Sequence, residues 1–198
     1  LSHSDTAWNV SGPLPAAQKN PRRQGPFKDA FRHRFLLVYG TRGTPEENAW
    51  ALAKARFDAE AFWYRGNGSV EVVADTQFDA ARTRDRGVII YGHRDMNAAW
   101  TQLLPASPVQ VRRGAVEVGG KTLSREDLGC LFLQPRPDSE TACVGVVAGS
   151  GLSGLRLLNR LPYFMAGTGY PDCLVVGPET LKRGTPGIVA AGFFGNDW

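Results

Sequence analysis

The residues best suited by type and spacing to do chemistry lie in Gly149-Ser150-Gly151-Leu152-Ser153-Gly154. They form a GxGxxG pattern between a buried apolar run, Cys143–Ala148, and a helix expected through Leu155, Leu158 and Leu161. In a dinucleotide-binding fold such glycines let the backbone approach a pyrophosphate at the positive end of a helix. The acidic partner should then end the next strand, about 20 residues on. Asp172 has the distance, but it precedes its strand, Cys173–Val176, so its carboxylate falls at the wrong edge. A tight turn without a cofactor is therefore expected, with a small anion at the helix start as the alternative. The same stretch fails the GxSxG nucleophile pattern, because Leu155 stands where Ser153 needs a second glycine. His3 and His33 lie outside the body, so a Ser-His-Asp triad would have to use His93, expected to be a loop histidine. One body histidine, scattered carboxylates and no CxxC offer no metal spacing. Cys130, Cys143 and Cys173 each border an apolar run and are odd in number, which points to buried free thiols. One pair bridging in an oxidising compartment is the alternative.

The elements that must position these residues begin with Phe35-Leu36-Leu37-Val38-Tyr39, apolar on both faces and closed by Gly40. Such a strand belongs inside a parallel sheet. Thr44, Pro45 and Glu47 then make a capping box that starts a helix. That helix is expected to turn Ala49, Leu52, Ala53, Phe57, Ala61 and Tyr64 inward, with Glu47, Lys54, Asp58 and Arg65 elsewhere, and to stop at Gly66-Asn67-Gly68. Strands follow at Val70–Ala74 and Val88–Tyr91, with short helices at Phe78–Arg84 and Ala98–Leu104. The alternation requires crossovers and a parallel sheet. Val109–Arg112 and Ala115–Val118 alternate around Arg113-Gly114 as a hairpin with one wet face. A single helical turn is expected at Ser124–Asp127, then strands at Cys130–Leu133 and Cys143–Ala148. Cys173–Val176 and Ile188–Phe194 form an antiparallel hairpin at a sheet edge, turned by Gly184, Pro186 and Gly187. The fold expected is α/β: a three-layer, mostly parallel, flavodoxin- or Rossmann-like sheet with that edge hairpin, over residues 35–198. Residues 1–34, holding Gly12-Pro13, Pro15, Pro21 and Gly25-Pro26, read as an extended arm or interdomain linker pinned by Trp8, Phe27 and Phe31, its Lys19–Arg23 centre free to move.

In an open parallel sheet, ligands bind beyond the carboxyl ends of the strands. Those ends carry Thr41, Arg42 and Gly43, then His93 and Asn97, then Gly149, Ser150 and Gly151. If these loops converge they make a polar, Gly-lined, cationic crevice, for an anion or a sugar or else vestigial.

The chain has 198 residues, room for one well-filled core. Its net charge of +4 is uneven: six basic residues against Asp29 put +5 within residues 18–36 and leave about −1 elsewhere. A basic arm can bind phosphates, yet no nucleic-acid motif accompanies it, so nucleic acid is not the expected partner. No run of about 18 apolar residues is present to span a membrane, and residues 1–34 are too polar for a signal peptide. Beginning at Leu1, the chain is expected to be a processed product or part of something longer.

Several short motifs together resemble a known family. They are Gly25-Pro26-Phe27-Lys28-Asp29-Ala30-Phe31, Val88–Gly92 with Asn97, the turn at Val146–Gly151, and Ala191-Gly192-Phe193-Phe194-Gly195-Asn196-Asp197-Trp198. Over residues 24–198 the chain is similar to the domain C-terminal to the α/β-hydrolase domain of large bacterial prolyl-oligopeptidase-like and esterase-like proteins. The resemblance implies a catalytic triad in a hydrolase domain this chain lacks, export to the periplasm or the extracellular space, and no catalytic residue here. That family commonly has a small polar residue where His93 stands. The expected function is a non-catalytic accessory or interaction domain of a serine hydrolase, with no cofactor or metal. Its partners would be the hydrolase domain, in the same or an associated chain, and a polymeric substrate. The alternative is a small stand-alone hydrolase, or a nucleotide- or anion-binding protein, using the crevice.

Overall fold

The structure is a computed structural model that describes residues 2–4, 6–9, 12 and 14–198; Leu1, Asp5, Val10, Ser11 and Pro13 lie outside the described residues. In chain order the strands are β1 (Ser2–Ser4), β2 (Ala7–Asn9), β3 (Phe35–Tyr39), β4 (Glu71–Ala74), β5 (Gly87–Tyr91), β6 (Gln110–Arg112), β7 (Ala115–Val118) and β8 (Lys121–Leu123). They continue as β9 (Gly129–Pro135), β10 (Cys143–Gly149), β11 (Cys173–Val176) and β12 (Ile188–Gly192). The α-helices are α1 (Pro45–Gly66), α2 (Ala99–Leu103), α3 (Leu152–Leu157) and α4 (Pro178–Arg183).

The main sheet has seven strands in the order β12-β11-β9-β10-β5-β3-β4, and it is mixed. Strands β4, β3, β5 and β10 run parallel to one another. The β10-β9, β9-β11 and β11-β12 pairs are antiparallel. The sheet is thus parallel on one side only, where a mostly parallel one was expected. Loop length is the reason: residues 136–142 suffice for a hairpin between β9 and β10, whereas a parallel return needs a crossover of about a dozen residues or more. The β11-β12 edge hairpin is as expected, although α4 lies between its strands.

Apolar side chains fill both faces of the sheet, as the uninterrupted hydrophobic strands require. Leu37, Ile89, Leu131 and Val147 face α1, α3 and a 3-10 turn at Phe27–Phe31. Leu36, Val88, Ile90 and Val146 face α2 and the inner side of a small antiparallel sheet, β6-β7-β8. That small sheet contains the expected hairpin, with Val111 and Val116 buried and Arg112 paired to Glu117 outside. Gly119 and Gly120, at φ of 57° and 72°, turn the chain into β8, a strand not expected from the sequence. Ser124–Asp127 forms no helical turn; Arg125 there pairs with Asp127 and Glu179. The expected helix at Phe78–Arg84 is reduced to a 3-10 turn, Ala81–Thr83, held by the buried Arg136 guanidinium donating to the Ala80, Thr83 and Arg86 carbonyls.

The inward face of α1 differs from the one expected. Its Thr44 capping box is present, but the buried residues are Glu47, Trp50, Ala51, Lys54, Ala55 and Asp58. Phe57 and Tyr64, both expected inside, are 62% and 81% exposed. Before β3, Phe27 and Ala30 are fully buried. The Lys19–Arg23 stretch is tied down: Lys19 pairs with Asp172 and donates to the Phe194 carbonyl, and Arg23 donates to the Ser139 and Ala16 carbonyls. Trp8 stays largely exposed on β2.

Candidate functional site

The carboxyl ends of β3, β5 and β10 do lie together. Gly40 N donates to the Tyr91 carbonyl, Gly92 N to the Val147 carbonyl and Arg42 N to the Met96 carbonyl, each at 3.0 Å. Asn97, fully buried, ties the first two loops by donating from Nδ2 to the Val38 and Tyr91 carbonyls. Thr41 gives its hydroxyl to Asp75, 2.6 Å away, and Asn48 Nδ2 donates to the Thr41 and Gly43 carbonyls. Arg42 is exposed.

Two of these three loops are bonded by a turn from the small sheet. The β6-β7 turn, Arg113-Gly114, spans the mouth. Gly114 N donates to the Ser150 carbonyl at 2.7 Å, Arg113 N to Asp95 Oδ2 at 2.8 Å, and Arg94 N to the Val111 carbonyl at 2.9 Å. The Arg113 guanidinium forms a two-pronged ion pair with Glu47, at 2.9 and 2.7 Å. His93 is fully buried beneath this turn, with Nε2 3.6 Å from Glu47 Oε1 and Nδ1 accepting from Asp95 N at 3.2 Å. Burial outweighs the pull of the Glu47 and Asp95 carboxylates and lowers the His93 pKa. Burial alone would raise the Glu47 pKa; the Thr44 N–H and Arg113 oppose it and hold the carboxyl below its ordinary value.

The glycine-rich turn is closed in the same way. Ser150 N donates to the Leu128 carbonyl, and Leu128 N to Ser150 Oγ, which engages that serine with the entry to β9. A Cβ added at Gly154 would stand 2.5 Å from the Leu128 carbonyl carbon; one at Gly149, 2.6 Å from the Gly154 carbonyl carbon; one at Gly151, 2.6 Å from the Glu126 oxygen. These glycines permit backbone-on-backbone packing of α3 against the entry to β9. Asp172, buried at the start of β11, accepts from Lys19 and Phe194 N.

A second constellation escaped the sequence reading. On α1, Lys54 donates to Asp58 Oδ1 at 2.6 Å, and both side chains are buried. Asp58 Oδ2 accepts from the Tyr91 hydroxyl at 2.8 Å and from the Tyr163 hydroxyl. Burial raises the Asp58 pKa despite these three donors, and with the carboxylate it raises both tyrosines well above their ordinary range. The Lys54 ammonium lies over the Tyr163 ring at 4.6 Å and the Phe57 ring at 5.4 Å. Above it a groove of about 440 Å³ is lined by Trp50, Ala53, Lys54, Phe57 and Asn159. A narrower hollow of about 120 Å³ shares Lys54, Phe57 and Asn159 and continues past Arg65 to Phe164. Trp50 Nε1 donates to Asn159 Oδ1 at 3.1 Å. The available signal was the i, i+4 spacing of Lys54 and Asp58. It was overridden because charge is normally placed on the solvent side of a helix.

Among the described residues no group of three or more His, Cys, Asp or Glu side chains could hold a metal, and no helix is long and apolar enough to cross a membrane. Cys130, Cys143 and Cys173 are buried and free.

No protein-family model matches the sequence. The chain is similar to an uncharacterized secreted protein of Arthroderma benhamiae, with 35% identity over 71 residues; the match covers 36% of this chain and 7% of that protein.

Proposed function

We propose that this chain is a non-catalytic accessory module of an exported serine-hydrolase-like protein, working against a hydrolase domain in the same or an associated polypeptide and helping to engage a polymeric substrate. The observation that carries the reading is the Arg113-Gly114 turn. It takes up the position beyond the parallel strands where an α/β enzyme would receive its substrate, and it leaves His93 under cover. A general base must come within hydrogen-bond reach of the proton it removes, and a nucleophile must meet its substrate. Neither Ser150, engaged with Leu128, nor His93 offers that access. Resemblance to the domain that follows the hydrolase domain in prolyl-oligopeptidase-like and esterase-like proteins supports the association. Similarity to a secreted protein supports export, and its small share of that relative fits a module within a longer chain. The helices and turns on both sheet faces support a three-layer, flavodoxin- or Rossmann-like arrangement, modified by the antiparallel half.

A fluorophosphonate probe, which phosphonylates activated serines, tests the reading. The purified chain is expected to take up no label and to hydrolyse neither acyl esters nor aminoacyl anilides. Labelling of Ser150 or Ser153 that disappears in His93→Ala would overturn it.

A further inference from the structure

The groove over α1 has a chemical polarity that no part of the accessory reading uses. Lysine carries three N–H donors and no acceptor. Asp58 Oδ1 takes one of the three on Lys54, and the Tyr163 and Phe57 rings flank the ammonium. Both Asp58 oxygens are already engaged, Oδ1 by Lys54 and Oδ2 by two tyrosine hydroxyls, so the carboxylate has little left to offer a ligand. Asn159 faces the same space with its Oδ1 committed to Trp50, which leaves its NH₂ group as the end that meets a ligand. Arg65 adds a guanidinium along the narrower hollow. The polar groups converging on the groove are therefore donors, two of them cationic, while its walls are Trp50, Phe57, Tyr163 and Phe164. The larger cavity alone, about 440 Å³, falls within the range of small-molecule sites, roughly 300–1,000 Å³.

Apolar walls around a few fixed polar groups describe a ligand with an apolar body and one complementary head. We infer that this groove binds small monocarboxylates with an apolar tail, the carboxylate meeting Lys54 and Asn159 and the tail lying along Trp50 and Phe57. A carboxylate is favoured over a neutral head because charge-assisted hydrogen bonds are roughly twice as strong as neutral ones. An acyl carboxylate and a peptide C-terminus with an apolar side chain share this chemistry. The inference does not depend on the hydrolase association or on the covered crevice, so it can fail while the accessory reading holds.

Titrations of the full chain with octanoate and with N-acetyl-phenylalanine, followed by tryptophan fluorescence and calorimetry, test it; octanamide and N-acetyl-phenylalaninamide serve as neutral controls. Saturable binding of at least one acid is expected, at least about tenfold tighter than its amide, a factor of ten being 1.4 kcal/mol. Which acid binds more tightly distinguishes the acyl source from the peptide source. Phe57→Ala removes an exposed wall without touching the core and is expected to weaken binding several-fold. Lys54→Gln is expected to erase the preference for acid over amide where that variant folds. Equal binding of acid and amide, affinity unchanged in Phe57→Ala, or no saturable binding of either acid below about 1 mM would overturn the inference.

Discussion

Replacing Gly154 by alanine tests whether the glycine-rich turn is built for packing or for a phosphate. The new Cβ would stand 2.5 Å from the Leu128 carbonyl carbon. Carbon atoms in contact prefer about 3.5–4.0 Å, so the backbone must separate by roughly 1 Å. The obstacle is main chain held by the Ser150–Leu128 hydrogen bonds, with no flexible side-chain end to swing aside. Alanine improves helix propensity by at most about 1 kcal/mol. Overpacking a filled site costs about 1–3 kcal/mol, and backbone obstruction belongs at the upper end. The net loss should be about 1–2 kcal/mol, or about 2–8 °C in Tm for a chain of this size. Gly169, with no atom within 4 Å of a built Cβ, is the control, and its alanine variant should stay within about 0.5 kcal/mol of the parent. Thermal and urea unfolding of the parent, Gly154→Ala and Gly169→Ala measure the difference. If Gly154→Ala unfolds with the parent while a phosphate ligand stabilises the parent alone, the packing account is wrong and the turn is an anion site.

Two further outcomes follow from the buried charges. His93 holds a proton more weakly in the folded chain than in the unfolded one, chiefly through burial. Its stabilising contribution is therefore complete above its ordinary value of 6.5 and is lost as pH falls through the lowered folded value, at no more than about 1.4 kcal/mol per pH unit. Glu47 adds the same sign only further down, below its ordinary 4.5. Tm measured between about pH 8 and 5 should fall less steeply in His93→Gln than in the parent, and equal slopes would refute the burial argument. Lys54→Met removes the cation beside a buried carboxylate and should cost about 3–5 kcal/mol in urea unfolding, much of it recovered in the Lys54→Met/Asp58→Asn double variant. A neutral single variant would mean that Asp58 is neutral in the fold.

The sequence by itself determined the elements whose causes are local. The capping box at Thr44 and Glu47, the buried strands ending in Gly40 and Gly92, and the Arg113-Gly114 hairpin all follow from residue chemistry within a few positions. Asp172, set aside on spacing as a pyrophosphate acid, is engaged by Lys19 and Phe194 N. Only the tertiary structure decided the direction of β9, because pairing depends on what lies alongside, although the short loop to β10 was a signal within reach. It likewise decided which side of α1 is inside. Phe57 and Tyr64 stay outside and a mixed face is buried, since Trp50, Ala51 and Ala55 pack inward while Glu47 meets Arg113 from the hairpin and Asp58 meets Tyr91 and Tyr163 from β5 and a distant loop. A buried charge is tolerable only when partners complete it, and here those partners come from positions far along the chain. The same holds for the crevice: residues 41–43, 93–97 and 149–151 could be placed at one end of the sheet from topology, but that a turn from another sheet would bury His93 and bond Ser150 is a matter of three-dimensional docking alone.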